Sequence, residues 1–171
     1  MEELNWTRTD FRPSTVQRLD RNTSGAVIAA LTGPSLRYLS ELIRERKIKK
    51  IYRAVVEGNI NESGEIDLPL LKDHAENLVK VDDGGQSALT RYRKISSVKN
   101  TSAVEAELVT GRPHQARVHF AAIGHPIIGD RKYGGDARLA KRPLLHAYSV
   151  SLPDDRGLPE TIRGREFKAP L

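Results

Sequence analysis

Cysteine is missing from all 171 residues. That excludes disulfides and thiolate metal sites, and it fits the cytosol. No apolar run approaches the length of a membrane-spanning helix. The opening Met1-Glu2-Glu3-Leu4-Asn5-Trp6 is acidic and polar, unlike a secretory signal. Internal repeats and low-complexity tracts are also lacking.

The 38% hydrophobic content is enough for a sizeable core, in one domain or two small lobes. Lys and Arg total 28 against 22 acidic residues, a net charge of +6. Basic residues recur from Arg44 to Arg53, from Arg91 to Lys94, and at Arg112, Arg117, Arg131 and Lys132. Guanidinium forks suit phosphate oxygens. The balance alone fits a solvated basic surface equally well.

Periodicity predicts more strands than helices. Residues 1–15 lack a clear period and read as a lead-in. Ala26 to Leu31 reads as a short buried strand. Leu36, Leu39, Leu42 and Ile43 fall on one helical face, and Pro34 suits its first turn. Strands are expected at Lys50–Glu57, Ile66–Leu71, Leu78–Val81, Ala88–Ser96 and Ala103–Thr110. Pro113–Ile123 reads as a helix with Ala116, Phe120 and Ile123 inward, closed by Gly124. Leu144–Leu152 reads as a strand with Leu144, Tyr148, Val150 and Leu152 on one side. The expected class is α+β, with a mainly antiparallel mixed sheet and flanking helices.

Four segments could carry chemistry. In Gln17-Arg18-Leu19-Asp20-Arg21-Asn22-Thr23-Ser24-Gly25, the neighbouring cations favour an ionised carboxylate. Asp20 could then act as nucleophile or base. Charge pattern alone favours a structural ion pair. In Lys50–Gly58, Tyr52 could stack on a base, although half-buried packing is the commoner fate of a strand tyrosine. In Leu108–His119, a glycine turn leads into a helix start. There Arg112, His114 and Gln115 make a candidate phosphate site, and Arg117 lies one turn further in. The alternative is a helix with solvated basic residues. His114 and His119 are five apart and do not share a face as a zinc pair would, so no metal is expected. Gly124–Gly134 reads only as an ordered, basic loop.

In this order the segments resemble the RluA family of pseudouridine synthases. Its Arg-Leu-Asp-x-x-Thr-Ser-Gly motif is matched by Arg18–Gly25, and its Lys-x-Tyr-x-Ala-x-Val-x-Gly strand by Lys50–Gly58. Its Gly-Arg-x-His-Gln-x-Arg-x-His motif is matched by Gly111–His119. Gly124–Gly134, Leu145-His146-Ala147 and Ala169-Pro170-Leu171 complete the series. The resemblance implies the pseudouridine synthase catalytic fold over residues 16–171. It implies isomerisation of uridine in rRNA or tRNA, without cofactor or metal. It also implies Asp20 as the catalytic carboxylate, Tyr52 stacking on the target base and Arg117 paired with the carboxylate. Arg18 would help to hold the flipped-out nucleotide, and Leu145 would lie beside the uracil.

Two departures carry expectations of their own. Gln17 stands where the family commonly has His. Family catalytic domains also usually open with two strands and a Lys-Pro-x-Gly segment, often after an S4-like domain, and nothing before Asp20 matches these. A sheet without its opening strands would leave an edge free, so weak stability or self-association is expected. A catalytically impaired RNA-binding module of the same fold is the alternative. A glycoside hydrolase ranks last, because no second carboxylate sits in an equivalent motif.

Overall fold

The computed structural model describes residues 11–73 and 75–170. Its strands begin with β1 (Ser14–Thr15), β2 (Ser24–Gly25) and β3 (Ala29–Ala30), followed by helix α1 (Gly33–Arg44). Next come β4 (Lys49–Glu57), β5 (Ser63–Asp67), β6 (Leu70–Asp73), β7 (Leu78–Val81), β8 (Leu89–Val98) and β9 (Thr101–Leu108). Helix α2 (Gln115–Ala122), a 3-10 turn at Arg131–Tyr133, β10 (Leu145–Ser151) and β11 (Glu166–Lys168) complete the chain. The expected start of the lead-in, residues 1–10, and Leu171 of the closing motif lie outside the described residues.

The main sheet has the order β11-β10-β4-β9-β8-β5. Its neighbours are antiparallel except β2, which joins β10 in parallel. Two small antiparallel pairs, β1–β3 and β6–β7, lie outside it. The α+β expectation holds. The second edge of β10 is occupied by β2 at His146–Ala147 and by β11 at Ser149–Ser151.

Alternation along the strands separates two faces. On β4, Tyr52, Ala54 and Val56 point inward, and on β9, Ser102, Val104 and Ala106 do the same. Phe120 of α2 packs into this inner face, with its ring edge against Tyr92 at 5.7 Å. Leu39 and Leu42 of α1 build a second cluster with Ile48, Val150 and Leu152. The Thr32 hydroxyl caps α1 by accepting the Ser35 amide, and Pro34 stands in its first turn.

Four local expectations are corrected. Ala26–Leu31 is not a buried strand, since only Ala29–Ala30 pairs there and Val27 and Leu31 are exposed. The chain is passing from the main sheet to the small β1–β3 pair at this point. Ile66–Leu71 is broken at Leu68-Pro69, because proline has no amide to donate to a ladder. On β10 a bulge between Ala147 and Ser149 shifts the register, so Leu145 and Ala147 share the inner face with Val150. Tyr148 is turned to the outer face, beneath the Arg53 guanidinium. Finally, α2 is buried from Gln115 through Phe120 and not along one stripe. The β6–β7 hairpin covers its far side, where Val118 meets Leu70 and Val79.

Candidate active site

A cleft of about 540 Å³ opens on the inner face, between the α1 and α2 clusters. The loop between β1 and β2 forms one wall and carries Arg18 and Asp20. Its turn is closed by the Thr23 amide on the Asp20 carbonyl, at 3.0 Å, with Asn22 in the left-handed region. Asparagine tolerates that conformation better than most residues. The loop is then tied to β10. Gly25 lies so close that a Cβ there would stand 2.2 Å from the Ala147 carbonyl oxygen, and its φ of 121° also favours glycine.

Asp20 faces Arg117 of α2, with Oδ2 3.5 Å from Nη1. Asp130 grips the same guanidinium far more tightly. Its two oxygens accept Nε at 2.7 Å and Nη2 at 2.8 Å. The Asp130 side chain is 1% exposed and that of Asp20 is 25% exposed, so Asp20 is the carboxylate that a ligand can reach. Burial opposes the charge on Arg117. The hydrogen-bonded Asp130 carboxylate outweighs that, with Asp20 adding to it, and holds the guanidinium's pKa above its ordinary value. The Tyr133 ring lies against the guanidinium at 4.9 Å.

Tyr52 lines the cleft from β4, and Leu145 does so from β10. Burial, aided by the Asp20 charge, pushes the Tyr52 phenol up to about 12. It is therefore a neutral ring with a hydroxyl donor at any ordinary pH.

Gly111 to Gln115 form the opposite wall. His114 holds a left-handed backbone, φ 53°, at the start of α2. Its Nδ1 shares a 2.6 Å hydrogen bond with the Tyr133 hydroxyl. Burial is the first cause that pushes its pKa down, so the ring is neutral near pH 7. Arg112 points its Nε at the Ser87 carbonyl, 3.0 Å away.

Gln115 is also at the cleft wall, but its amide is saturated by protein partners. Its oxygen accepts the Thr110 hydroxyl at 2.6 Å and the Arg112 amide at 3.0 Å. Its nitrogen donates to the Leu89 carbonyl and to Thr90 Oγ1. His119 Nε2 donates to the Leu68 carbonyl, which leaves Nδ1 to accept from the Thr90 hydroxyl. This chain of bonds fixes the turn at the start of α2, from which Arg117 reaches Asp20.

All eight residues expected to form the site lie in or against this one cleft. Sequence reasoning missed Asp130 and Tyr133, which sit in a segment that read only as an ordered loop. It also did not single out Lys50 and Lys72, which line the cleft too. Among the described residues no group of three or more His, Asp or Glu is placed to hold a metal ion. None of their helices is long and apolar enough to cross a membrane.

A reachable carboxylate, a fixed guanidinium and a neutral tyrosine thus meet at one cation-lined cleft. The family model for RNA pseudouridylate synthase matches residues 2–122, and the chain belongs to that family, in keeping with its RluA-like motifs. An RNA pseudouridine synthase of Chloroflexus aurantiacus, named as uncharacterized, is 39% identical over 166 residues, covering 95% of this chain and 51% of that protein. Ribosomal large subunit pseudouridine synthase D of Zymomonas mobilis is 40% identical over 126 residues, covering 72% of this chain and 40% of that protein. The chain thus spans about half the length, or less, of these curated relatives. The solved structure of human RNA pseudouridylate synthase domain containing 1 superposes with a TM-score of 0.77 at 26% identity, covering 93% of this chain and 69% of that one.

Proposed function

We propose that this chain, over residues 16–171, is the catalytic domain of an RNA pseudouridine synthase acting on uridines of structured rRNA or tRNA in the cytoplasm. The observation that carries the reading is the Asp20 carboxylate, reachable in the cleft and 3.5 Å from an arginine held by another acid. The reaction is an isomerisation. The bond from N1 of uracil to the sugar C1′ breaks, the base turns, and C5 bonds to C1′. The C5 proton is lost and N1 gains one, so no co-reactant is consumed.

Asp20 starts the reaction, either by attacking the sugar or by taking a proton from it, and both routes use its carboxylate oxygens beside Arg117. Asp130 holds Arg117 on two oxygens, which leaves Asp20 held by one long contact and free to engage substrate. Tyr52 stacks on the uracil through its neutral ring. Leu145 supports the ring from the next strand. Arg18, Arg112 and His114 receive the flipped nucleotide and its phosphates, while Gln115 positions their turn. Flipping is required because a stacked base hides its glycosidic bond. Self-association would run through an outer strand of the sheet, β5 or β11, and sedimentation as a monomer would dismiss it.

The test is incubation of the protein with RNA from cells lacking the gene, followed by mapping of pseudouridine. Asp20→Asn is expected to lower the rate by at least about a thousandfold, with RNA affinity nearly unchanged. Retained activity in that variant would remove Asp20 from the mechanism. Binding without any pseudouridine in the parent protein would leave an RNA-binding module.

A further inference from the structure

Lys50 stands on the inner face of β4, two positions before Tyr52, so both side chains enter the cleft. Its ammonium lies against the Gly111 turn, where a Cβ would be 3.1 Å from Nζ. Glycine at that position leaves room for the ammonium. Among the described residues, no ion pair or hydrogen bond engages this ammonium. Half-buried cations ordinarily have a partner, because burial without one is unfavourable. Burial accordingly pushes the Lys50 pKa below the usual lysine range. The neighbouring Lys49 points to the opposite face and pairs with Glu107 at 3.3 Å.

Arg112 flanks Gly111, and its guanidinium has only a backbone carbonyl for company. Among the described residues, Asp20 is the one carboxylate lining the cleft. The missing partner of Lys50 therefore has to be an anion that arrives with the ligand. A lysine ammonium suits this task as a compact charge that selects no base.

We propose that Lys50 binds a backbone phosphate of the substrate RNA, next to the nucleotide that occupies the Tyr52 ring. This rests on the RNA-directed reading above. The site divides its labour along one strand, with the phosphate at Lys50 and the base at Tyr52. Such a contact sets the register of the RNA, so that Asp20 meets C1′ of one nucleotide and not its neighbour.

The experiment uses the full chain and a fluorescein-labelled ten-nucleotide oligouridylate, with Kd measured by anisotropy across a sodium chloride series. Lys50→Met keeps the apolar stem and removes the charge. It is expected to weaken binding severalfold at low salt and to make the slope of log Kd against log salt shallower by about 0.7 for one phosphate contact. Lys50→Arg should keep the slope, and Lys49→Met should match the parent. The melting temperature of Lys50→Met should equal or exceed that of the parent, since an unpaired cation has been removed. An unchanged slope overturns the proposal, and so does a lowered melting temperature with unchanged slope, which would mark Lys50 as structural. Lys50→Gln gives a second reading of the slope if the methionine variant folds poorly. A parent that binds the oligouridylate but makes no pseudouridine in cellular RNA would sink the catalytic reading and leave Lys50 to be judged by its slope. A parent that does not bind the oligouridylate overturns the Lys50 contact, while the catalytic reading stands or falls by the pseudouridine mapping.

Discussion

The two faces of the central sheet treat positive charge in opposite ways. On the outer face four strand cations have their acids on a neighbouring strand, and Lys168 pairs with Glu166 of its own strand at 3.1 Å. Arg53 and Arg93 share Glu105 at 3.0 and 2.7 Å, Arg91 meets Glu65 at 2.6 Å, and Lys49 meets Glu107. These are cross-strand pairs that stabilise a solvated surface modestly. On the cleft side, no ion pair or side-chain hydrogen bond engages Arg18, Lys50 or Lys72 among the described residues. One step along β4, from Lys49 to Lys50, moves a lysine from one regime to the other. The outer-face strand cations are matched by protein acids, whereas among the described residues Arg18, Lys50 and Lys72 at the cleft are not.

Arg117 gives the hardest test of this contrast, because two protein carboxylates, Asp130 and Asp20, already engage it. Arg117→Met would strand the buried Asp130 carboxylate and should lower unfolding free energy by about 3–5 kcal/mol, read by urea denaturation. A loss no larger than that of an outer-face variant would erase the distinction. A smaller effect is expected from acid. His114 and His119 both have pKa values lowered, chiefly by burial, so the folded state prefers their neutral rings. Their contribution is whole above the ordinary histidine value of about 6.5 and is lost as pH falls towards the lower folded values. Melting temperature should therefore drop between pH 7 and pH 5, and less steeply in His119→Asn. A flat profile in the parent would count against buried neutral histidines. The smallest change is assigned to Arg91→Met on the outer face, a shift within the scatter range of the same urea measurement. A cost above that range would show that the outer pairs carry the sheet.

Features with a local period were legible in the sequence. The alternation of Val104 and Ala106 and the apolar face of α1 both reappear, because each is set by neighbours within a few positions. The β10 bulge was not legible, since a residue inserted into a strand leaves no mark on composition. Nor was the role of Gln115, which depends on Thr90 and Leu89 some 25 positions away. The approach of Asp20 to Arg117 joins residues 97 positions apart, and only the order of the motifs pointed to it. Asp130 went unnoticed because a Gly-Asp pair in a turn-rich loop looks like any other turn. Its partner, 13 residues earlier, lies on a helix whose burial on both sides no amphipathic pattern announced.

The parallel pairing of β2 with β10 also bears on the order of assembly. The Ser24 hydroxyl bonds to His146, 122 positions further on, and Gly25 nests against Ala147. As the chain leaves the ribosome, Asp20 emerges well over a hundred positions ahead of the strand that anchors its loop. The Asp20 loop must wait, tethered at one end, while the sheet between is built. Contacts of such long sequence separation form late and slowly. A nascent chain stopped before residue 147 would therefore hold every acid and base of the site and still have no site.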